Sequence, residues 1–183
     1  MKKFVLLASV LFSLQFAAAC GALAGLGAPA VKEFKSDAGG FSVNVPGGTM
    51  QETSQNVPTA AGNIKITLYQ TTAGNNAYLA GFSDFPDAIT KQNNPDTLLD
   101  GARQGAVTNA NGTVVSDNKI TFENNPGRET VIDGKAPTGQ EATIKVRYYL
   151  INNRLYQVMA VTPRGQINSA GIDDFLQSFK LTK

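Results

Sequence analysis

The chain contains no histidine. It therefore lacks the commonest general base and the commonest metal ligand. Its single cysteine, Cys20, cannot form an internal disulfide. Ser and Thr are abundant, but without a histidine or a plausible Ser-x-x-Lys context none reads as an activated nucleophile. Among the carboxylates, Asp84-Phe-Pro-Asp87 could offer oxygen to calcium, yet it lacks the dense ligand spacing of a dedicated loop and reads better as a strand end and turn. Asp173 and Asp174 are neighbours on a predicted helix, so their side chains diverge by ~100°. They suit a helix start, not an acid–base pair. Arg128-Glu129 could hold an anion; cross-strand pairing is the simpler use. Pro46-Gly-Gly-Thr49 follows a strand but has neither the Lys nor the helix of a phosphate loop. No metal ligand set and no cofactor motif is expected.

One further constellation combines charge with aromatic surface: Arg147, Tyr149, Arg154 and Tyr156. They fall on one face of a long hairpin, Thr143–Pro163, with Asn152-Asn153 at its turn. Asn tolerates the positive φ that a two-residue turn requires. That turn sets the register, placing Leu150 against Leu155, Tyr148 against Gln157, Val146 against Met159 and Ile144 against Val161. The face with these residues reads as core. The Arg/Tyr face reads in one of two ways: as a contact surface for a protein or ligand, or as tyrosines under a helix with arginines lying over them. A hairpin this apolar on both sides belongs at the centre of a sheet covered on both sides.

The elements that hold these residues begin after a leader. Lys2 and Lys3 precede an apolar run, Phe4–Phe16, too short for a comfortable permanent span. Ala17-Ala18-Ala19-Cys20 then resembles a bacterial lipobox, with Ala17 where the pattern usually has Leu. Residues 1–19 read as a lipoprotein signal peptide, 20–38 as a lipidated Gly/Ala-rich tether, and 39–183 as one domain. Plain signal-peptidase cleavage after Ala19 or Ala24 is the alternative. The 16 basic side chains include Lys2 and Lys3; without those two, 14 stand against 14 acidic ones. A net charge near zero gives no argument for nucleic acid.

Strands are predicted over Phe41–Val45, Met50–Val57, Asn63–Thr72, Ala77–Phe85, Thr113–Phe122 and Arg128–Asp133, with a turn at Asn75-Asn76. Asn94-Pro95-Asp96 opens a helix by cap, first-turn proline and dipole, and its pattern stops near Asn109. Gly101 and Gly105 weaken that helix or allow close approach to the sheet. Ile172, Phe175, Leu176 and Phe179 make a closing amphipathic helix within Ser169–Phe179.

This order, with PGRE at Pro126–Glu129, NRLYQVMAV at Asn153–Val161 and FLQSFKL at Phe175–Leu181, resembles the PsbP-like superfamily over roughly Gly39–Lys183. The resemblance implies an α+β fold, an antiparallel β-sheet sandwiched by helices. It implies no catalytic signature. The superfamily includes photosystem-associated extrinsic proteins, a nuclear import factor and bacterial lipoproteins, and the last group fits the leader. Metal sites of photosynthetic members use histidine and are not carried over. The expectation is a non-enzymatic, lipid-anchored binding or assembly protein on the periplasmic or cell-surface side, held to the membrane through Cys20, with an envelope protein as partner. In a photosynthetic host that partner could be a photosystem. The alternatives are a small-molecule or lipid-binding module and a carboxylate-dependent hydrolase.

Overall fold

The structure, a computed structural model, describes residues 30–59, 62–168 and 171–182. The leader and Cys20 lie outside them. The chain opens with β1 (Val31–Ser36), β2 (Phe41–Pro46), β3 (Gln51–Thr59), β4 (Gly62–Ala73) and β5 (Asn76–Asp84). Two helices follow, α1 (Asp87–Gln92) and α2 (Pro95–Asn109). Then come β6 (Thr113–Phe122), β7 (Asn125–Lys135), β8 (Glu141–Ile151) and β9 (Arg154–Pro163), and finally α3 (Ile172–Gln177) and β10 (Lys180–Leu181).

Seven strands form an antiparallel sheet in the order β3-β4-β5-β9-β8-β7-β6. The hairpin β8–β9 lies at its centre. Its register is the one the turn dictates: Leu150 opposes Leu155, Tyr148 opposes Gln157, Val146 opposes Met159 and Ile144 opposes Val161. Asn152 takes a positive φ of 54° at the turn.

The two sheet faces have different covers. On one, α2 lays Leu99 against Val146, Tyr148, Leu150 and Leu155. Asn94 caps α2 by accepting from the Asp96 N–H, with Pro95 at the first turn. On the other, Tyr69, Tyr78, Tyr149, Tyr156 and Val158 meet Phe41 and Val43 of β2 and Phe175, Leu176 and Phe179 around α3. This second cover is partly a sheet. β2 is the middle of three antiparallel strands, β1-β2-β10. The expected sandwich of helices is thus one helix on one side and a small sheet plus a short helix on the other.

β1 corrects the boundary of the tether. Val31–Ser36 pairs along its whole length with β2. The Phe34 ring lies 4.8 Å from that of Tyr69, and Ser36 Oγ donates to Tyr69 Oη at 3.0 Å. The folded domain therefore starts at Val31, not Gly39. The β4–β5 turn is Gly74-Asn75, one residue earlier than predicted, with Gly74 at φ 59°. Nothing lies within 4 Å of a Cβ placed on Gly101 or Gly105, so neither serves close approach. Gly127 does: a Cβ there would stand 2.6 Å from the Tyr148 carbonyl oxygen. Among the described residues no helix is long and apolar enough to cross a membrane.

Candidate functional site

The four residues of the Arg/Tyr face come together, but not as a free surface. Tyr149 and Tyr156 are 4% and 6% exposed. Their rings pack 5.3 Å from Phe179, and Phe122 closes on Tyr149 at 5.1 Å. Aromatic pairs in such offset and edge geometries each add about 0.5–1.5 kcal/mol beyond area burial. Tyr156 Oη donates to the Gly39 carbonyl at 3.0 Å. The contact-surface reading of Arg147, Tyr149, Arg154 and Tyr156 is therefore corrected: the tyrosines are core, under β2 and the α3 end.

Arg154 spends its guanidinium on this architecture. Nε and Nη2 donate to Asp84 Oδ1 and Oδ2 at 2.6 and 2.7 Å, a two-pronged pair between β9 and β5. Nη1 donates to the carbonyls of Ala38 and Gly39 at 3.2 and 3.0 Å, in the β1–β2 turn. The cation also sits 4.5 Å over the Phe82 ring. The Asp84 bond holds its pKa well above the ordinary arginine value, against the opposing effect of burial. Arg154 is thus a clamp that ties the small sheet to the large one.

Arg147 stands two rungs further along. Its Nε donates to Glu129 Oε2 at 2.6 Å. Glu129 Oε1 lies 3.6 Å from Lys145 Nζ, and Lys145 reaches Asp173 Oδ1 of α3 at 2.7 Å. Burial works against the Arg147 cation; the bond and charge of Glu129 outweigh it, and the pKa stands above normal. Burial raises the Tyr149 phenol, with Arg147 opposing. Neither group is held near neutrality, as an acid–base role at pH 7 requires.

The pair Arg128-Glu129 is consumed as cross-strand pairing predicts, but by partners on three elements. Arg128, 7% exposed, bonds Asp117 of β6 at 2.5 Å and Asp100 of α2 at 2.7 Å. Asp117 also accepts from Arg103 of α2 at 3.1 Å and from Thr130 at 2.8 Å. Lys119 meets Asp96 at 2.7 Å. This network pins α2 to β6 and β7. No local pattern announces it, because charged residues on a helix and on two later strands reveal partners only once the strands are paired.

The Asp84–Asp87 segment separates its carboxylates. Asp84 belongs to Arg154; Asp87 bonds Lys91 at 2.9 Å and Asn153 of the hairpin turn. Lys91 holds the Asp87 pKa below the usual carboxylate value. An open cleft of about 320 Å³ lies beside the clamp, lined by Glu52, Lys65, Thr67, Phe82, Asp84 and Arg154, with Ala38 at its rim. Its volume is at the small end for ligand sites, and two of its four charged lining residues, Asp84 and Arg154, are already paired with each other. No group of three or more potential metal-ligating side chains occurs among the described residues.

No family model and no curated protein matches the sequence. A solved structure, the solution structure of cyanobacterial PsbP (CyanoP) from Synechocystis sp. PCC 6803, superposes with a TM-score of 0.54 at 9% identity, covering 88% of this chain and 98% of that one. The fold is PsbP-like. A Pseudomonas aeruginosa protein of unknown function aligns at a TM-score of 0.36 and 8% identity, covering 75% of this chain and 85% of that one. At 9% identity the likeness to CyanoP transfers architecture and no site.

Proposed function

We propose that the chain is an extracytoplasmic, lipid-anchored protein of the cell envelope that binds or helps assemble another envelope protein without catalysing a reaction. One observation carries this reading. The polar groups that could have done chemistry, Arg128, Glu129, Arg147, Arg154 and Asp84, are each committed to an internal partner. A catalytic site keeps such groups poised and reachable; here they brace layers against one another. Fold analogy with CyanoP extends the reading to a photosystem partner in a photosynthetic host.

The anchor rests on Cys20, the sole cysteine, placed after Ala18-Ala19 at the close of an apolar leader. One acyl chain binds a membrane only marginally, and two hold a neutral domain without a basic patch. Gly21 after the cysteine, where inner-membrane retention usually takes Asp, favours an outer membrane if the envelope has two.

Fractionation of wild type and Cys20→Ala, with mass spectrometry of the mature N-terminus, tests the anchor. The expected result is a diacylated or triacylated Cys20 in the membrane fraction and a soluble variant. An unmodified, soluble wild type overturns it. Crosslinking and capture from native membranes tests the binding role: one reproducible partner supports it, whereas a copurifying metabolite without a partner moves the assignment to a small-molecule module.

A further inference from the structure

β6 is the outer strand of the large sheet, and among the described residues it pairs with β7 alone. The β6–β7 turn fixes which of its backbone groups are free. Glu123 and Asn124 take positive φ of 47° and 65° between the paired residues Phe122 and Asn125. Such a two-residue turn is of the primed type, and the pair that closes it exchanges hydrogen bonds. Alternation from Phe122 then turns the N–H and C=O of Ile120 and Asn118 toward β7. Those of Thr121, Lys119 and Asp117 point out of the sheet. The side chains of Asn118, Lys119 and Thr121 are exposed.

The other outer strand, β3, carries Pro58, a common guard against edge pairing. β6 has no proline. At its head stand Val114 and Val115, 41% and 60% exposed, two of the three exposed large hydrophobics among the described residues. A bulge between Val114 and Ser116 ends the regular edge there. From Ser116 to Thr121 that edge runs roughly 20 Å.

Charge decides what fits this edge. If β6 pairs antiparallel with a copy of itself, outward groups must meet outward groups. The two-fold axes that keep most of the edge paired then pass through Asp117, Asn118 or Lys119. An axis at Asp117 sets two carboxylates opposite each other, and one at Lys119 sets two ammonium groups opposite each other. An axis at Asn118 sets Asp117 opposite Lys119 of the second copy, and does so twice. Like charges directly opposite destabilise a strand pair, and unlike charges stabilise it. Asp96 and Asp100 of α2, both half exposed, border the same face and add to the negative side that receives the incoming Lys119.

We propose that the chain forms a symmetric dimer in which β6 pairs antiparallel with β6 of a second copy about a two-fold axis at Asn118, joining the two large sheets into one. This register also brings the exposed Val115 to Thr121 of the second copy. The contact is short, so the dimer is weak and concentration-dependent. It needs neither a lipid on Cys20 nor an envelope partner.

The test uses the chain from Cys20 onward, kept reduced so that Cys20 cannot link two copies. Sedimentation velocity over a wide concentration range should show a reversible monomer–dimer equilibrium. Lys119→Glu turns two favourable pairs into two repulsive ones and should weaken the dimer at least ~10-fold. Its urea midpoint should stay close to that of wild type, because the exposed Lys119–Asp96 pair contributes little. In a Cys20→Ser background, Asn118→Cys should link two copies under mild oxidation, since residues facing each other across such an axis have Cβ atoms about 4.5–5.5 Å apart. Thr121→Cys, roughly 20 Å along the strand from its counterpart, should not. A chain that stays monomeric at every concentration, an Asn118→Cys variant that links no faster than Thr121→Cys, or a Lys119→Glu variant that dimerises as wild type does overturns the dimer.

Discussion

The helix α3 has six residues and buries Ile172, Phe175 and Leu176 at 0–1% exposure; α2 has fifteen and buries only Leu99. Each covers one face of the same sheet. α3 is held by aromatic and aliphatic packing, with Tyr78 edge-on to Phe175 at 5.1 Å and Phe179 stacked among Phe41, Tyr149 and Tyr156. α2 has a thin apolar stripe, two glycines over open space, and a charge network through Asp100, Arg103 and Asp96. The contrast teaches that length does not measure a helix's contribution to stability. A short helix that fills a core is worth more than a long one pinned by ion pairs, because the exposed pairs contribute little net free energy and the buried Arg128–Asp117 pair sets its attraction against the cost of desolvation.

The largest expected effect breaks the stronger side. Phe175→Ala should cost about 3–5 kcal/mol, a large share of a domain's ~5–15 kcal/mol. The urea midpoint of residues 20–183 reads it directly, and a midpoint that barely moves would make α3 peripheral. Next comes the network. Asp117→Asn leaves Arg128 buried with Asp100 alone, and should cost about 1–3 kcal/mol by urea unfolding. A loss below half a kcal/mol would mean that α2 is seated by Leu99 and not by charge. The glycines predict the opposite sign: Gly101→Ala and Gly105→Ala meet no neighbour and should each stabilise by about 0.4–1 kcal/mol, read as a higher melting temperature.

The smallest effect sharpens the comparison by pH. The Lys119 hydrogen bond holds the Asp96 pKa below the usual carboxylate value, against desolvation. A carboxylate depressed in the folded state contributes stability above its unfolded pKa and loses it as pH falls through the folded value. The protection factors of the α2 amides, which correct for the intrinsic pH dependence of exchange, should therefore fall as pH drops through the folded value of Asp96, before those of α3 respond. Equal responses in both helices would remove the distinction.

Much of this arrangement was legible in the sequence. The central hairpin could be read to the exact residue pair, because a two-residue Asn-Asn turn leaves one register and its side chains alternate clearly. The α2 cap and the α3 stripe were legible for similar local reasons. β1 was not: Lys32, Glu33 and Lys35 face solvent, and Phe34 is the main inward apolar group of an edge strand. α1 was missed because it buries nothing. The candidate face was chosen correctly as a face, but its partners Asp84, Ala38 and Gly39 lie 70 or more positions away from Arg154. Neither spacing nor periodicity reports a pairing of β5 with β9. Whether the tyrosines met a partner or a core was therefore decided by a layer, β2, whose position depends on that non-local pairing.

The strand order has a kinetic consequence. β3-β4-β5 and β6-β7-β8-β9 are two meanders, and among the described residues the only strand pairing between them is β5 with β9. Ala77 must find Val161, and Asp84 must find Arg154. The middle of the sheet cannot close until nearly the whole chain is available. Closing so long a loop before any contact repays its entropy makes for slow folding. Under the export proposed above, such a delay would keep the chain unfolded, and so fit to be threaded, until β9 has been made.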